Sequence, residues 1–213
     1  MLADIQKTAK RVGCHLAVTD HNTVSGTMKL KEKMQVLPGI EVKTSTGQDL
    51  LFYFYSHGDL SEFQRREVKP GLKGAWAFSK TKKDPFEMLD AGKEYNCIAS
   101  AAHPAKYGPA SEMVVKKADA CEVLNGGISR KQNLMALSWA LKHGKAVTAG
   151  SDGHSIYELG HVVTAAKAED MGGFLDQVRK GRVQAVGTEL RYGKPERLLL
   201  HARNRIENLG RWI

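Results

Sequence analysis

Short apolar runs alternate with helical stretches along this sequence, and four of those runs break off into histidine or carboxylate. Ala3 to Val12 has helical spacing, and His15 to Thr19 is a short strand-like run. Thr23 to Met34 returns to helix, Val36 to Val42 is strand-like around Pro38-Gly39, and Leu50 to Tyr55 reads as a buried strand. Asp84-Pro85 puts a capping residue before a proline at the first helical position. That helix is expected to run to about Asn96 and to lead into the strand Cys97 to Ala102. Ala120 to Leu124 and Lys145 to Ala149 are strands on either side of the amphipathic helix Ser129 to Lys142. Strand Val162 to Ala166, helix Gly173 to Lys180, strand Val183 to Val186 and helix Lys194 to Asn208 complete the series. Such alternation implies an α/β fold with a parallel sheet, open or closed as a barrel. The 213 residues suffice for one domain, and no repeat or Pro/Gly/Ser-rich linker divides them.

Composition narrows the function classes. With 42% hydrophobic and 26% charged residues the chain is neither disordered nor membrane-spanning, and no apolar run approaches the length of a bilayer. Three scattered cysteines, Cys14, Cys97 and Cys121, fit neither a disulfide framework nor a zinc knuckle. Buried thiols in a reducing, cytoplasmic setting are the better reading. Thirty-two basic against 23 acidic residues give a net charge of +9, which favours polyanionic partners, from phosphorylated metabolites to nucleic acid. Lys69 to Lys83 lacks periodicity, carries five lysines without an intervening acid, and reads as a long surface loop. A second basic cluster, including Arg191, Lys194 and Arg197, lies in the tail.

The polar residues stand where parallel α/β folds bind ligands, at the C-terminal ends of the strands. They are Thr19-Asp20-His21-Asn22, Pro38-Gly39-Ile40-Glu41, His103-Pro104 and Gly150-Ser151-Asp152-Gly153-His154. Each piece has an ordinary alternative: a helix cap, an edge-strand carboxylate, a hydrogen-bonded histidine, a turn. Four of them at four strand ends point instead to a divalent-metal site, which needs histidines and carboxylates delivered to one rim.

These segments, with Glu122-Val123-Leu124-Asn125 and Leu159-Gly160, occur in the order seen in the PHP (polymerase and histidinol phosphatase) superfamily, which the chain resembles from about residue 3 to about 164. The resemblance implies a distorted (β/α)7, TIM-like barrel, with residues 165–213 as a closing strand and terminal helix. It implies one to three divalent ions, Zn, Mn or Fe, used to hydrolyse phosphate esters. By similarity His21, Glu41, His103, Asp152 and His154 are metal ligands, with Glu41 bridging two ions. Asp49 lies nearest a position where many members carry another histidine. Asp20 and Asn125 would orient ligands or water, and Lys73, Lys80, Lys82 and Lys83 would hold a substrate phosphate. His15, His57, His143, His161 and His201 match no family ligand.

The family opens on a strand with a His-any-His pair, whereas this sequence begins directly on the following helix. The first strand and two ligands of one ion are thus expected to be absent, either because the native chain is longer or because this member is truncated. Either case implies fewer bound metals and impaired turnover. The expected partner is a phosphorylated small molecule or a nucleic-acid end, attacked by a metal-activated water without a serine or cysteine nucleophile. Two alternatives stand beside this reading. One is a catalytically weak or inactive PHP-like protein that binds nucleic acid, and the other is an amidohydrolase-type barrel acting on C–N bonds.

Overall fold

The computed structural model describes residues 2–72 and 79–189. Helix α1 (Leu2–Val12) packs Ala9 against Leu16, Leu30 and Val36, which come from strand β1 (Leu16–Ala17), helix α2 (Ser25–Leu30) and strand β2 (Val36–Leu37). β1 and β2 pair in parallel as a two-stranded sheet. Pro38 has no N–H to give a ladder, so the expected strand Val36 to Val42 splits there. Its second half, β3 (Gly39–Lys43), joins a different sheet.

That sheet has five strands in the order β3, β4 (Asp49–Phe54), β5 (Cys97–Ala101), β6 (Ala120–Asn125) and β7 (Ala146–Gly150). β5, β6 and β7 run parallel, as alternation with helices implied, but β3, β4 and β5 are antiparallel neighbours. The central sheet is therefore mixed. A third, antiparallel pair follows, β8 (Val162–Ala165) with β9 (Gln184–Gly187). None of the three sheets closes among the described residues, so the architecture shown is an α/β fold with a mixed central sheet. Two links join the sheets. A parallel bridge ties His21 to Glu41. The Thr164 hydroxyl both accepts from Ala149 N (2.8 Å) and donates to Ala149 O (2.9 Å).

Because strand side chains alternate, the central sheet has two unlike faces. One carries Ile40, Val42, Leu50, Phe52 and Phe54 into the main core, covered by α3 (His57–Phe63), α4 (Pro85–Gly92), α5 (Glu112–Lys117) and α6 (Arg130–Lys142). The rings of Phe52 and Phe63 lie 4.7 Å apart, and Phe63 meets Tyr95 edge-on at 5.3 Å. The other face packs Ile98 and Ala120 against Leu175 and Val178 of α7 (Met171–Arg179) at one end. At its far end it carries Glu41, Asp49 and Glu122.

Several helices depart from the sequence reading. The helix expected over Thr23 to Met34 shortens to Ser25–Leu30, and the one expected to reach Asn96 stops at Gly92. α3, which continues through a π turn over Gln64–Val68 and a 3-10 turn over Lys69–Gly71, and α5 have no counterpart in it. The stretch expected as a surface loop is only partly one. Residues 79–83 run beside the end of β3, with Thr81 N bonded to Lys43 O and Ser45 N to Lys83 O, and both Ser79 and Thr81 are buried. Residues 73–78, including Lys73, lie outside the described residues, as do the expected helix Lys194 to Asn208 and the basic tail. No described helix is long and apolar enough to cross a membrane.

Candidate metal centre

The site begins with register. Lys43 pairs with Asp49 and Glu41 with Leu51 across β3 and β4, so Glu41, Lys43 and Asp49 share the face opposite the core. His21 arrives from the β1 side through the bridge to Glu41, where Asn22 N donates to Glu41 O at 2.8 Å. His103 stands two residues beyond β5, beside the start of β4. The structure thus gathers His21, Glu41, Asp49 and His103.

His21 Nε2 is 3.6 Å from Glu41 Oε2, and its Nδ1 is 3.9 Å from Asp49 Oδ1. His103 Nε2 is 3.3 Å from Glu41 Oε1 and 3.9 Å from Asp49 Oδ2. Three of these four gaps exceed hydrogen-bond length, and the Nδ1 atoms of both rings are buried without a hydrogen-bond partner. Orphaned ring nitrogens carry a cost that a native site normally offsets. Donors about 2.1 Å from a tetrahedral cation stand about 3.4 Å from one another, close to the spacing here. Imidazole with carboxylate is also the donor set that borderline divalent ions prefer. His21, Glu41 and Asp49 present ligand atoms within 4.8 Å of one another, so these residues fit a divalent metal.

Around the cluster lies a shell that fixes it. The Tyr107 hydroxyl donates to Asp49, whose side chain is 1% exposed. Lys43 Nζ stands 3.4 Å from both Asp49 oxygens. Buried Glu122 accepts from His103 N at 2.8 Å and from Asn125 Nδ2 at 2.9 Å. Its other oxygen would lie 3.0 Å from a Cβ at Gly150, so the glycine leaves the room in which that carboxylate sits. Burial pushes Glu122 up to about 7, with the Asp152 charge adding to the rise and His103 and Asn125 opposing it. For His103 burial acts downward, but the contact with Glu41 and the charges of Glu122 and Glu41 together hold it above the usual imidazole value. Tyr107 is raised by burial and by Asp49, and so stays protonated to donate.

The remaining candidates take other positions. Asp152 follows β7 and adds its charge to the field at Glu122 and Tyr107. The His154 side chain is 57% exposed, with Nδ1 at 3.0 Å from Asp152 O. Its backbone N–H donates to buried Glu158 at 2.8 Å. Asp20 accepts from Gly26 N at 3.0 Å, and burial raises its carboxyl. Lys83 is engaged by Glu67, whereas exposed Lys80 stands over Gly47 at the β3–β4 turn and Lys82 is exposed. Lys43 and Tyr107 were not singled out from the sequence, and Glu122 was quoted there within the segment ending at Asn125 but given no role. Only period-2 alternation around Glu41 could have found Lys43, and nothing local marks Tyr107.

Three residues here hold left-handed backbone: Asn22 (φ 59°), His103 (φ 29°) and Asp152 (φ 48°). No other described residue besides glycine has positive φ. Strain of this kind, of order 1–3 kcal/mol per residue, gathers where side chains must be aimed.

Comparison with known proteins agrees with this architecture. Residues 130–183 match the PHP-associated family. No curated protein matches the sequence. A two-domain protein from Bacteroides vulgatus, containing a predicted PHP-like metal-dependent phosphoesterase, superposes with a TM-score of 0.61 at 14% identity, over 94% of this chain and 64% of that one. A lesion-specific endonuclease from Pyrococcus furiosus superposes at 0.66 and 17% identity, over 90% of this chain and 55% of that one. Endonuclease Q bound to a 27-mer duplex with an abasic lesion at the active site gives 0.68 and 17%, over 90% and 56%. The chain spans little more than half the length of the two endonuclease chains. The chain thus shares its fold with these proteins and matches the PHP-associated family over residues 130–183.

Proposed function

We propose that the chain hydrolyses phosphate esters with divalent ions held at His21, Glu41, Asp49 and His103, and that Asp152 and His154 complete the ligand set from the loop after β7. The observation that carries this reading is the four-residue cluster, in which both imidazoles face Glu41 and Asp49 and the buried Nδ1 of His21 stands without a hydrogen-bond partner 3.9 Å from Asp49. The reading treats the three sheets as arcs of one distorted barrel, in keeping with the His21–Glu41 bridge and the Thr164–Ala149 hydrogen bonds. Zn, Mn or Fe all suit the donor set. When bound, such ions lower the pKa of water and offset charge on phosphate oxygens.

The protein's own residues do the rest. Glu41 faces both His21 and His103, which suits a carboxylate shared between two ions. Tyr107 fixes one Asp49 oxygen, and Glu122 fixes the His103 backbone. The substrate class is a phosphodiester or phosphomonoester, with a nucleic-acid end favoured by the +9 charge and by the fold shared with endonucleases.

The test is hydrolysis of bis(p-nitrophenyl) phosphate with added Mn²⁺, with and without EDTA. Turnover should vanish with chelator and fall at least about 10³-fold in Glu41→Gln, equivalent to about 4 kcal/mol of transition-state stabilisation. Absence of turnover, combined with salt-sensitive nucleic-acid binding that EDTA leaves intact, would favour a binding protein instead.

A further inference from the structure

We propose that Lys43 is the residue that holds the substrate's phosphate group. The inference rests on the hydrolase reading for its substrate class, but its argument is geometric. Lys43 is two residues beyond Glu41 on β3 and directly opposite Asp49, so its side chain shares the face of the cluster. Its backbone is fixed on both sides. Lys43 N donates to Asn22 Oδ1 at 3.0 Å, and Lys43 O accepts from Thr81 N at 2.9 Å. Asn22 is in turn held by Ser79 O at 2.8 Å. The stem therefore leaves from a rigid point, and the ammonium ends beside Asp49 at the edge of the cluster.

A simple ion pair with Asp49 accounts poorly for this lysine. Charge-assisted N–H···O bonds run about 2.7–2.9 Å, whereas Lys43 stands 3.4 Å from both Asp49 oxygens. Asp49 already takes the Tyr107 hydroxyl and faces His21 and His103. The Lys43 side chain remains 28% exposed, so its three donors are not all spent on the carboxylate. An ammonium beside a cation site is repelled once that site is charged. Asp49, the one carboxylate at Lys43 among the described residues, is itself shared with the cluster and offsets only part of that repulsion. A phosphate group supplies the remaining negative charge, with one oxygen accepting from Lys43 and its other oxygens toward the cluster. Lys80, over Gly47, and Lys106, beside the Tyr107 ring at 5.7 Å, extend positive charge outward from the same rim.

The experiment titrates inorganic phosphate calorimetrically into Mn²⁺-loaded wild type, Lys43→Met and Lys43→Gln, with bound metal counted by atomic absorption and folding checked by circular dichroism. Phosphate affinity should fall at least about 10-fold in both variants, with metal content unchanged. Lys43→Arg should stay within a few-fold of wild type. Equal phosphate affinity in wild type and Lys43→Gln would overturn the proposal, as would wild type that binds no phosphate. So would a weaker affinity that tracks lost metal. The hydrolase reading fails separately. Wild type that binds phosphate through Lys43 yet cleaves no ester removes that reading and keeps Lys43. Turnover with phosphate affinity indifferent to Lys43 does the reverse.

Discussion

Glu122 lies buried between two loops that carry candidate ligands, bonded to His103 N and sharing space with Gly150. Its carboxyl is raised from an ordinary 4.5 to about 7 by burial. Between those pH values the folded chain binds the proton more tightly than the unfolded one. Stability is then full below about pH 4.5 and is lost as pH rises through about 7, by an amount of order 3 kcal/mol. In metal-free protein, urea unfolding at pH 5 and pH 8 should show this loss in wild type and lack it in Glu122→Gln, which mimics the protonated acid. Equal pH dependence in the two would place the perturbed group elsewhere. Much of the cluster was legible at this scale, because His21 and His103 follow strands in recognisable segments, although Glu41 lies within β3 and Asp49 opens β4 rather than following a strand end as expected. Lys43 and Tyr107 were not, since their roles come from cross-strand register and from a turn after His103.

Helix α4 shows what an element writes into its own sequence. Asp84 accepts from Phe86 N and Glu87 N, and the Glu87 side chain returns the bond to Asp84 N, so the capping box is complete. Asp84→Ala should cost about 1 kcal/mol in urea unfolding and leave phosphate affinity unchanged. A loss of phosphate binding in that variant would show that the cap also supports the site. The end of α4 was not readable, because the chain carries on in tight turns, with Lys93 N, Glu94 N and Tyr95 N bonded three residues back, and no proline or left-handed glycine marks the stop. The same limit explains the other misses. Pro38 marks a break, but not that its two sides join different sheets. The turn-rich run from His57 to Gly71 lacks a clean helical period. Ser79 and Thr81 are polar residues whose burial depends on lying along β3.

For the whole molecule, the α/β class was legible from alternation, while strand direction was not. Nothing local distinguishes β4, antiparallel to both neighbours, from a parallel strand equally buried on two faces. The left-handed backbone at Asp152 has a consequence of another sort. Left-handed backbone is cheapest for glycine and is tolerated by asparagine and aspartate, but at position 152 the carboxylate also adds its negative charge to the field at buried Glu122, a cost that asparagine and glycine lack. Evolution toward heat resistance alone, with turnover ignored, should therefore erode the site rather than the core. A library randomised at position 152 and screened only for soluble protein after heating should enrich asparagine and glycine. Aspartate held at its starting frequency would mean that its charge there carries no penalty. If enrichment is found, the aspartate in the natural sequence records selection for what the protein does, acting against selection for how long it lasts.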